Sequence, residues 1–176
     1  MLLRPPEAGD VAARGRLGFH TAIERGYGHV VETRPMARDE AQSWYDAVTA
    51  EATPGCYWHV EVDGELAGAA FLHSLRETDR KAQFAVGMFA PQVVGRGLGG
   101  ETTRLVLRHA FGDLGLHRVG LRVLAFNAAA IGCYRSCGFV EEGRERDSCR
   151  MGDEWFDDLM MAVLEDEFRA ADRLRP

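Results

Sequence analysis

Four glycines fall within six positions, Gly95-Arg96-Gly97-Leu98-Gly99-Gly100, between an apolar run and a long helical pattern. The run before them, Ala82-Gln83-Phe84-Ala85-Val86-Gly87-Met88-Phe89-Ala90, has the composition of a strand buried on both faces. Pro91 ends it, because proline has no N–H to give to a sheet ladder. The glycines then leave backbone N–H groups unscreened at the start of a helix that runs on to Phe111. A helix start carries unpaired N–H groups and a partial positive charge, so the stretch reads as a cradle for phosphate oxygens. A flexible loop would account for one or two glycines, but not for this density at a strand-to-helix turn.

A chain of 176 residues with 46% hydrophobic content can bury a substantial core, and one globular domain over residues 1–176 is expected. No apolar stretch is long enough to span a membrane, and the N-terminus has no signal-peptide pattern, so no membrane association is expected. The four cysteines lack a repeated close spacing, which suits reduced thiols in a cytoplasm. A formal charge of −6 argues against non-specific nucleic-acid binding, which needs clustered Lys and Arg.

The remaining pattern surrounds the glycine turn with a mixed sheet. Leu2-Leu3-Arg4 reads as a short edge strand closed by Pro5. Asp10 is placed to cap a helix presenting Val11, Leu17 and Ile23, which Gly26-Tyr27-Gly28 breaks. Residues 38–52 form a second helix with Ala41, Trp44, Tyr45 and Val48 on one face, ended by Thr53-Pro54-Gly55. Residues 56–75 make a hairpin about Asp63-Gly64, a pair that tolerates the positive φ of a tight primed turn. Beyond the glycine-led helix, residues 117–126 alternate as a strand. Asn127 caps a short helix stopped by Gly138, and residues 139–164 form a second hairpin with a polar tail. The order is α/β with a mixed sheet.

Gly95-x-Gly97-x-x-Gly100 also matches the dinucleotide fingerprint. That fold wants the motif after an early strand, with an acidic residue at the end of the next strand. Here the next strand ends in Leu124-Ala125-Phe126-Asn127, without a carboxylate, so a dinucleotide-binding domain is disfavoured. A P-loop is excluded, because no Gly-Lys-Ser/Thr follows.

The turn resembles the acyl-CoA motif Q/R-x-x-G-x-G/A of the GNAT N-acetyltransferases. Gln92-Val93-Val94-Gly95-Arg96-Gly97 satisfies it literally, whereas Val94-Gly95-Arg96-Gly97-Leu98-Gly99 matches its usual distance from Pro91; the second register is preferred. Asn127-Ala128-Ala129-Ala130-Ile131-Gly132-Cys133-Tyr134-Arg135-Ser136-Cys137-Gly138-Phe139 is similar to the family's second motif, N-x-x-A-x-x-x-Y-x-x-x-G-F. Leu116-His117-Arg118, the strand at Phe139 and the hairpin at Gly152-Asp153-Glu154-Trp155 resemble its RimJ/RimL branch.

The resemblance implies the GNAT fold: a mixed central sheet of six to seven strands flanked by helices and splayed between its two central parallel strands. It implies an N-acetyltransferase with acetyl-CoA as cosubstrate and no metal. The pyrophosphate would take amides from Gly95, Arg96, Gly97, Leu98, Gly99 and Gly100. The pantetheine arm would pair with Gly87, Met88 and Phe89, and Asn127 would bond the same arm or serve only as a helix cap. Tyr134 would protonate the departing thiolate as general acid, since a phenol with a pKa near 10 is protonated at neutral pH; a plain core aromatic is the other reading. The acceptor would be a primary amine, either a peptide N-terminus or a small molecule. The family's usual glutamate positions hold Gln83 and Arg122, neither a base, which leaves Asp157, Asp158, Glu32 or water. Deprotonating a lysine-like amine at neutral pH costs about 4–5 kcal/mol and an α-amine only about 1–1.5 kcal/mol, so an acceptor of low pKa is favoured. Without a base, a CoA-binding sensor lacking catalysis stays open. Cys133 and Cys137 lie one helical turn apart, without zinc-like spacing to a second pair. Arg104 and Arg108 read as a solvated face or as partners for the 3′-phosphate of CoA. Trp155, Phe156, Met160 and Met161 put apolar residues on both faces of the C-terminal hairpin, and a homodimer contact would cover one of them.

Overall fold

The computed structural model describes residues 1–51 and 56–173. They carry one mixed seven-stranded sheet ordered β1(Leu2–Arg4), β2(Tyr57–Val62), β3(Glu65–Arg76), β4(Lys81–Met88), β5(Arg118–Leu124), β7(Glu154–Leu164), β6(Val140–Met151). The helices are α1(Asp10–Leu17), α2(Thr21–Arg25), α3(Arg38–Glu51), α4(Leu98–Gly112), α5(Ala128–Ser136) and α6(Glu165–Arg173). This is the GNAT fold expected from the sequence. The chain forms two compact units, Met1–Phe71 with Val86–Gly99, and Leu72–Ala85 with Gly100–Pro176.

In the first unit the β2–β3 hairpin turns at Asp63 and Gly64, whose φ of 53° and 80° fit the primed turn that Asp-Gly favours. Val60, Val62, Ala67, Met88, Ala90 and Val93 make a buried cluster there, covered by Leu3, Leu17, Val86 and Leu98. The helix expected from Asp10 to Ile23 is two helices. Phe19 leaves the helical path to exchange N–H···O bonds of 2.8 and 3.1 Å with Arg34. Asp10 is not a cap: its carboxylate is buried and holds Arg4, the Glu7 N–H and His59. The expected helix end at Thr53-Pro54-Gly55 lies outside the described residues.

In the second unit the parallel ladder pairs Lys81 with Arg118, Ala82 with Val119 and Gln83 with Gly120. Both strands continue past that ladder, β4 through Phe84 and Ala85 and β5 through Leu121 to Leu124, so the two separate there. The other edge of β5 stays paired with β7 as far as Leu124 and Asp158. Phe84 stacks on Phe139 at 6.4 Å and Phe111 meets Phe168 at 5.4 Å, which seats α6 under α4. Along β4 the expected burial of both faces is not seen. Ala82, Phe84 and Met88 are buried, while Gln83, Ala85 and Gly87 keep partial exposure, as does Val86 on the buried face. Alternation of this kind marks a strand with one face on the core and the other facing a more open space.

Candidate active site

After β4, a single 3-10 turn at Pro91–Val93 leads into an exposed loop, residues 94–97. Gly95 and Gly97 both adopt left-handed backbone, with φ of 79° and 81°, and a Cβ at either would meet open space. Their need for glycine is therefore conformational, and it turns the chain sharply into α4 at Leu98. These are the two glycines of the motif that starts at Gln92, and the helix begins directly after the second. Gly99 stands in the first turn of α4, so the preferred register from Val94 and the literal one from Gln92 both lay their glycines along this strand-to-helix turn. The first turn of α4 follows directly on this exposed loop, and a helix start with glycines before it suits an anion. The loop residues Gly95, Arg96, Gly97, Leu98 and Gly99 lie together in the first unit.

Gly87, Met88 and Phe89 also belong to that unit. The Phe89 N–H donates to Ala67 O at 2.8 Å, so Phe89 faces β3. Strand alternation turns both polar groups of Met88 to the opposite edge. There the Tyr27 hydroxyl accepts from the Met88 N–H at 2.8 Å and donates to the Met88 carbonyl at 3.2 Å. Nothing local signals this contact, because Gly26-Tyr27-Gly28 shows only that a helix stops. Close by, Glu24 is buried with Nδ1 of His29 at 2.9 Å and Arg14 Nη2 at 3.9 Å. The Arg14 guanidinium lies 4.5 Å from the centre of the Phe89 ring, and burial lowers its pKa against the pull of Glu24.

The second unit holds Gly100, Asn127 and Tyr134. Asn127 Oδ1 accepts from the Ala130 N–H at 3.1 Å, so the asparagine is a helix cap whatever else it binds. Tyr134 is buried in α5 with its ring edge-on to Phe139 at 5.7 Å. Gly100 O accepts from the Cys137 thiol at 3.5 Å, and Arg104 Nη1 donates to the same sulfur at 3.4 Å. A hydrogen bond with Cys137, reinforced by burial, pushes the Cys133 thiol well above its ordinary pKa, which opposes nucleophilic use of that cysteine. Among the described residues no group of three or more His, Cys, Asp or Glu side chains could hold a metal. Arg108 is paired with Asp172 at 2.9 and 3.1 Å.

Four of the positions weighed for a base, Gln83, Arg122, Asp157 and Asp158, are engaged elsewhere. Gln83 lies flat on Gly120, where a Cβ would come within 2.9 Å of its Nε2. Arg122 pairs with Glu145 and, at 3.4 Å, with Asp158. Asp157 accepts from the Asp147 N–H and from Arg144, each at 3.0 Å, and these bonds hold its carboxyl below the usual range. Glu32 is exposed.

The model of the Acetyltransferase (GNAT) domain family matches residues 1–140. Spermidine N(1)-acetyltransferase of Escherichia coli (strain K12) is 29% identical over 111 residues, a stretch covering 63% of this chain and 59% of that protein. Ribosomal N-acetyltransferase YdaF of Bacillus subtilis (strain 168), a provisional name, is 29% identical over 106 residues, covering 60% of this chain and 57% of that protein. The crystal structure of spermidine N-acetyltransferase from Vibrio cholerae in complex with CoA and spermine superimposes with a TM-score of 0.77 at 25% identity, covering 96% of this chain and 97% of that one.

Proposed function

The chain belongs to the GNAT acetyltransferase family, and from that premise we propose that it transfers an acetyl group from acetyl-CoA to a primary amine. The observation that carries this reading is the left-handed pair Gly95 and Gly97 directly before the first turn of α4. The two phosphoryl groups of one diphosphate can approach backbone N–H there without meeting a Cβ, and the helix end favours their charge. On this reading residues 95–100 take the pyrophosphate, and the edge of β4 at Gly87, Met88 and Phe89 takes the pantetheine arm. Asn127 caps α5 and bonds that arm.

The transfer is direct. The amine lone pair attacks the thioester carbonyl carbon, the C–S bond breaks, and the thiolate takes a proton from Tyr134. The proton lost by the amine passes to water, since Gln83 and Arg122 are not bases and Asp157 and Asp158 are ion-paired. Water as acceptor suits an amine that is already partly neutral. A small amine is the acceptor class we favour, supported by the relatives named for spermidine. A peptide α-amine is the second reading, supported by the low-pKa argument and by the ribosomal name of one relative, in keeping with a RimJ/RimL-like branch. We further take residues 1–176 as one acyltransferase domain acting in the cytoplasm; among the described residues no helix is long and apolar enough to cross a membrane. A homodimer is proposed through the C-terminal hairpin, where Trp155 and Met160, on opposite faces of β7, are 56% and 40% exposed.

The deciding experiment mixes the protein with acetyl-CoA and a panel of polyamines, amino acids and N-terminal peptides. Thiol release is followed and the product identified by mass. Acetylated amine is the expected result. CoA binding without release for any amine would instead identify a sensor, and NAD binding without CoA binding would overturn the reading.

A further inference from the structure

We propose that the Tyr27 hydroxyl stands in for one amide of the pantetheine arm, holding the Met88 peptide in the ligand-free protein and leaving it when the arm pairs with β4. The inference rests on the acetyl-CoA reading above. A strand edge that is to receive an amide-bearing chain must offer one N–H and one C=O, and Met88 offers both away from β3. A hydroxyl is the one neutral side-chain group that answers both with a single atom, donating one hydrogen and accepting another. Tyr27 does so, at 2.8 Å from the Met88 nitrogen and 3.2 Å from its oxygen.

Three features suit a group that is displaced rather than fixed. Tyr27 as a residue is 42% exposed, so its side chain can swing outwards without emptying a core. Gly26 and Gly28 flank it, the latter at φ 84°, and they give the backbone on both sides freedom that other residues lack. Gly87 admits the phenol against the strand, since a Cβ there would lie 3.3 Å from the hydroxyl oxygen and 3.4 Å from the ring carbon that bears it. Desolvation of the phenol raises its pKa, so that it remains a donor at neutral pH.

A stand-in competes with its ligand, and that fixes the sign of the test. Tyr27→Phe leaves the Met88 N–H and C=O poorly satisfied before binding and changes nothing after it. CoA should therefore bind about five-fold more tightly to Tyr27→Phe than to wild type by calorimetry, the change that one net hydrogen bond makes. Tyr27→Ala should also bind more tightly, by a smaller factor because water can reach Met88. The melting temperature of ligand-free Tyr27→Phe should fall, and the difference from wild type should shrink at saturating CoA. In nitrogen-resolved NMR the Met88 amide should shift in ligand-free Tyr27→Phe. Equal or weaker CoA binding by Tyr27→Phe, with wild type binding normally, would overturn the stand-in role and leave the acetyltransferase reading in place. A wild type that binds no CoA, despite the Met88 shift, would overturn the acetyl-CoA reading and this inference with it.

Discussion

His59 and Asp10, 49 positions apart, meet inside the first unit with Nδ1 and Oδ2 separated by 2.7 Å. The imidazole is fully buried, stacked on Trp44 at 5.3 Å, and its Nε2 has no hydrogen-bond partner among the described residues. Burial lowers the pKa of His59 against the pull of Asp10, so the ring is neutral and donates from Nδ1. Burial also works against the Asp10 charge, but Arg4, the Glu7 N–H and His59 outweigh it and hold the carboxyl at about 2.

Both shifts act on stability in the same direction. A histidine kept neutral in the folded state gives stability that falls as pH drops below about 6.5, where the unfolded ring gains its proton. An aspartate with a depressed pKa gives stability present above about 4 and lost as pH falls towards 2. Urea unfolding against pH should show a decline beginning near 6.5 and steepening below 4. Asp10→Asn should flatten the lower limb by about 2 kcal/mol, since the carboxylate is only 4% exposed. An unchanged acid limb in Asp10→Asn would remove Asp10 from this account.

Gly68 lets β3 and β4 approach closely. A Cβ on Gly68 would lie 2.3 Å from Gly87 O and 3.2 Å from the Met88 Cα, both backbone atoms that cannot turn aside. Gly68→Ala should destabilise the fold by about 2–3 kcal/mol in chemical denaturation, through forced displacement of the strand. A loss under about 0.5 kcal/mol would show that the strands can part there without consequence.

At Gly97 the strain is conformational and the space is open, which separates ligand binding from stability. Gly97→Ala should cost about 1–2 kcal/mol of stability for its left-handed φ, and acetyl-CoA affinity should fall by about ten-fold or more as the amides turn away. Gly112→Ala, also in open space and without positive φ, is the control and should leave affinity unchanged. Equal affinity in Gly97→Ala would move the phosphates elsewhere.

Asn127→Asp keeps the oxygen that accepts from the Ala130 N–H but removes the amide's own donor. Stability should hold within about 0.5 kcal/mol while acetyl-CoA affinity drops. Retained affinity would leave Asn127 as a cap alone.

Tyr134→Phe should lower kcat about 100-fold with little effect on acetyl-CoA affinity, the size expected for loss of one general acid. An unchanged kcat would take Tyr134 out of the mechanism.

Much of the fold was legible because its signals are local. Asp63-Gly64 demands its turn, Asn127 its cap, and Gly95 with Gly97 their left-handed backbone, whatever lies around them. The two motifs could likewise be read in order, and they pointed to the family before any contact was known. Within the glycine turn the spacing to Pro91 favours the register from Val94, while which glycines need left-handed backbone shows only in the fold, at Gly95 and Gly97.

What only tertiary structure decided concerns side chains that act far from their own position in the chain. Asp10 carries the residue type of a helix cap, yet Arg4 and His59 reach it first and a charge-assisted bond in a buried place is the stronger claim. Tyr27 looks like part of a helix break, and becomes a partner for Met88 because folding brings its hydroxyl to a strand edge 61 positions away. Sequence fixes which groups can donate and accept; the fold alone decides which of them are left facing one another once water is excluded.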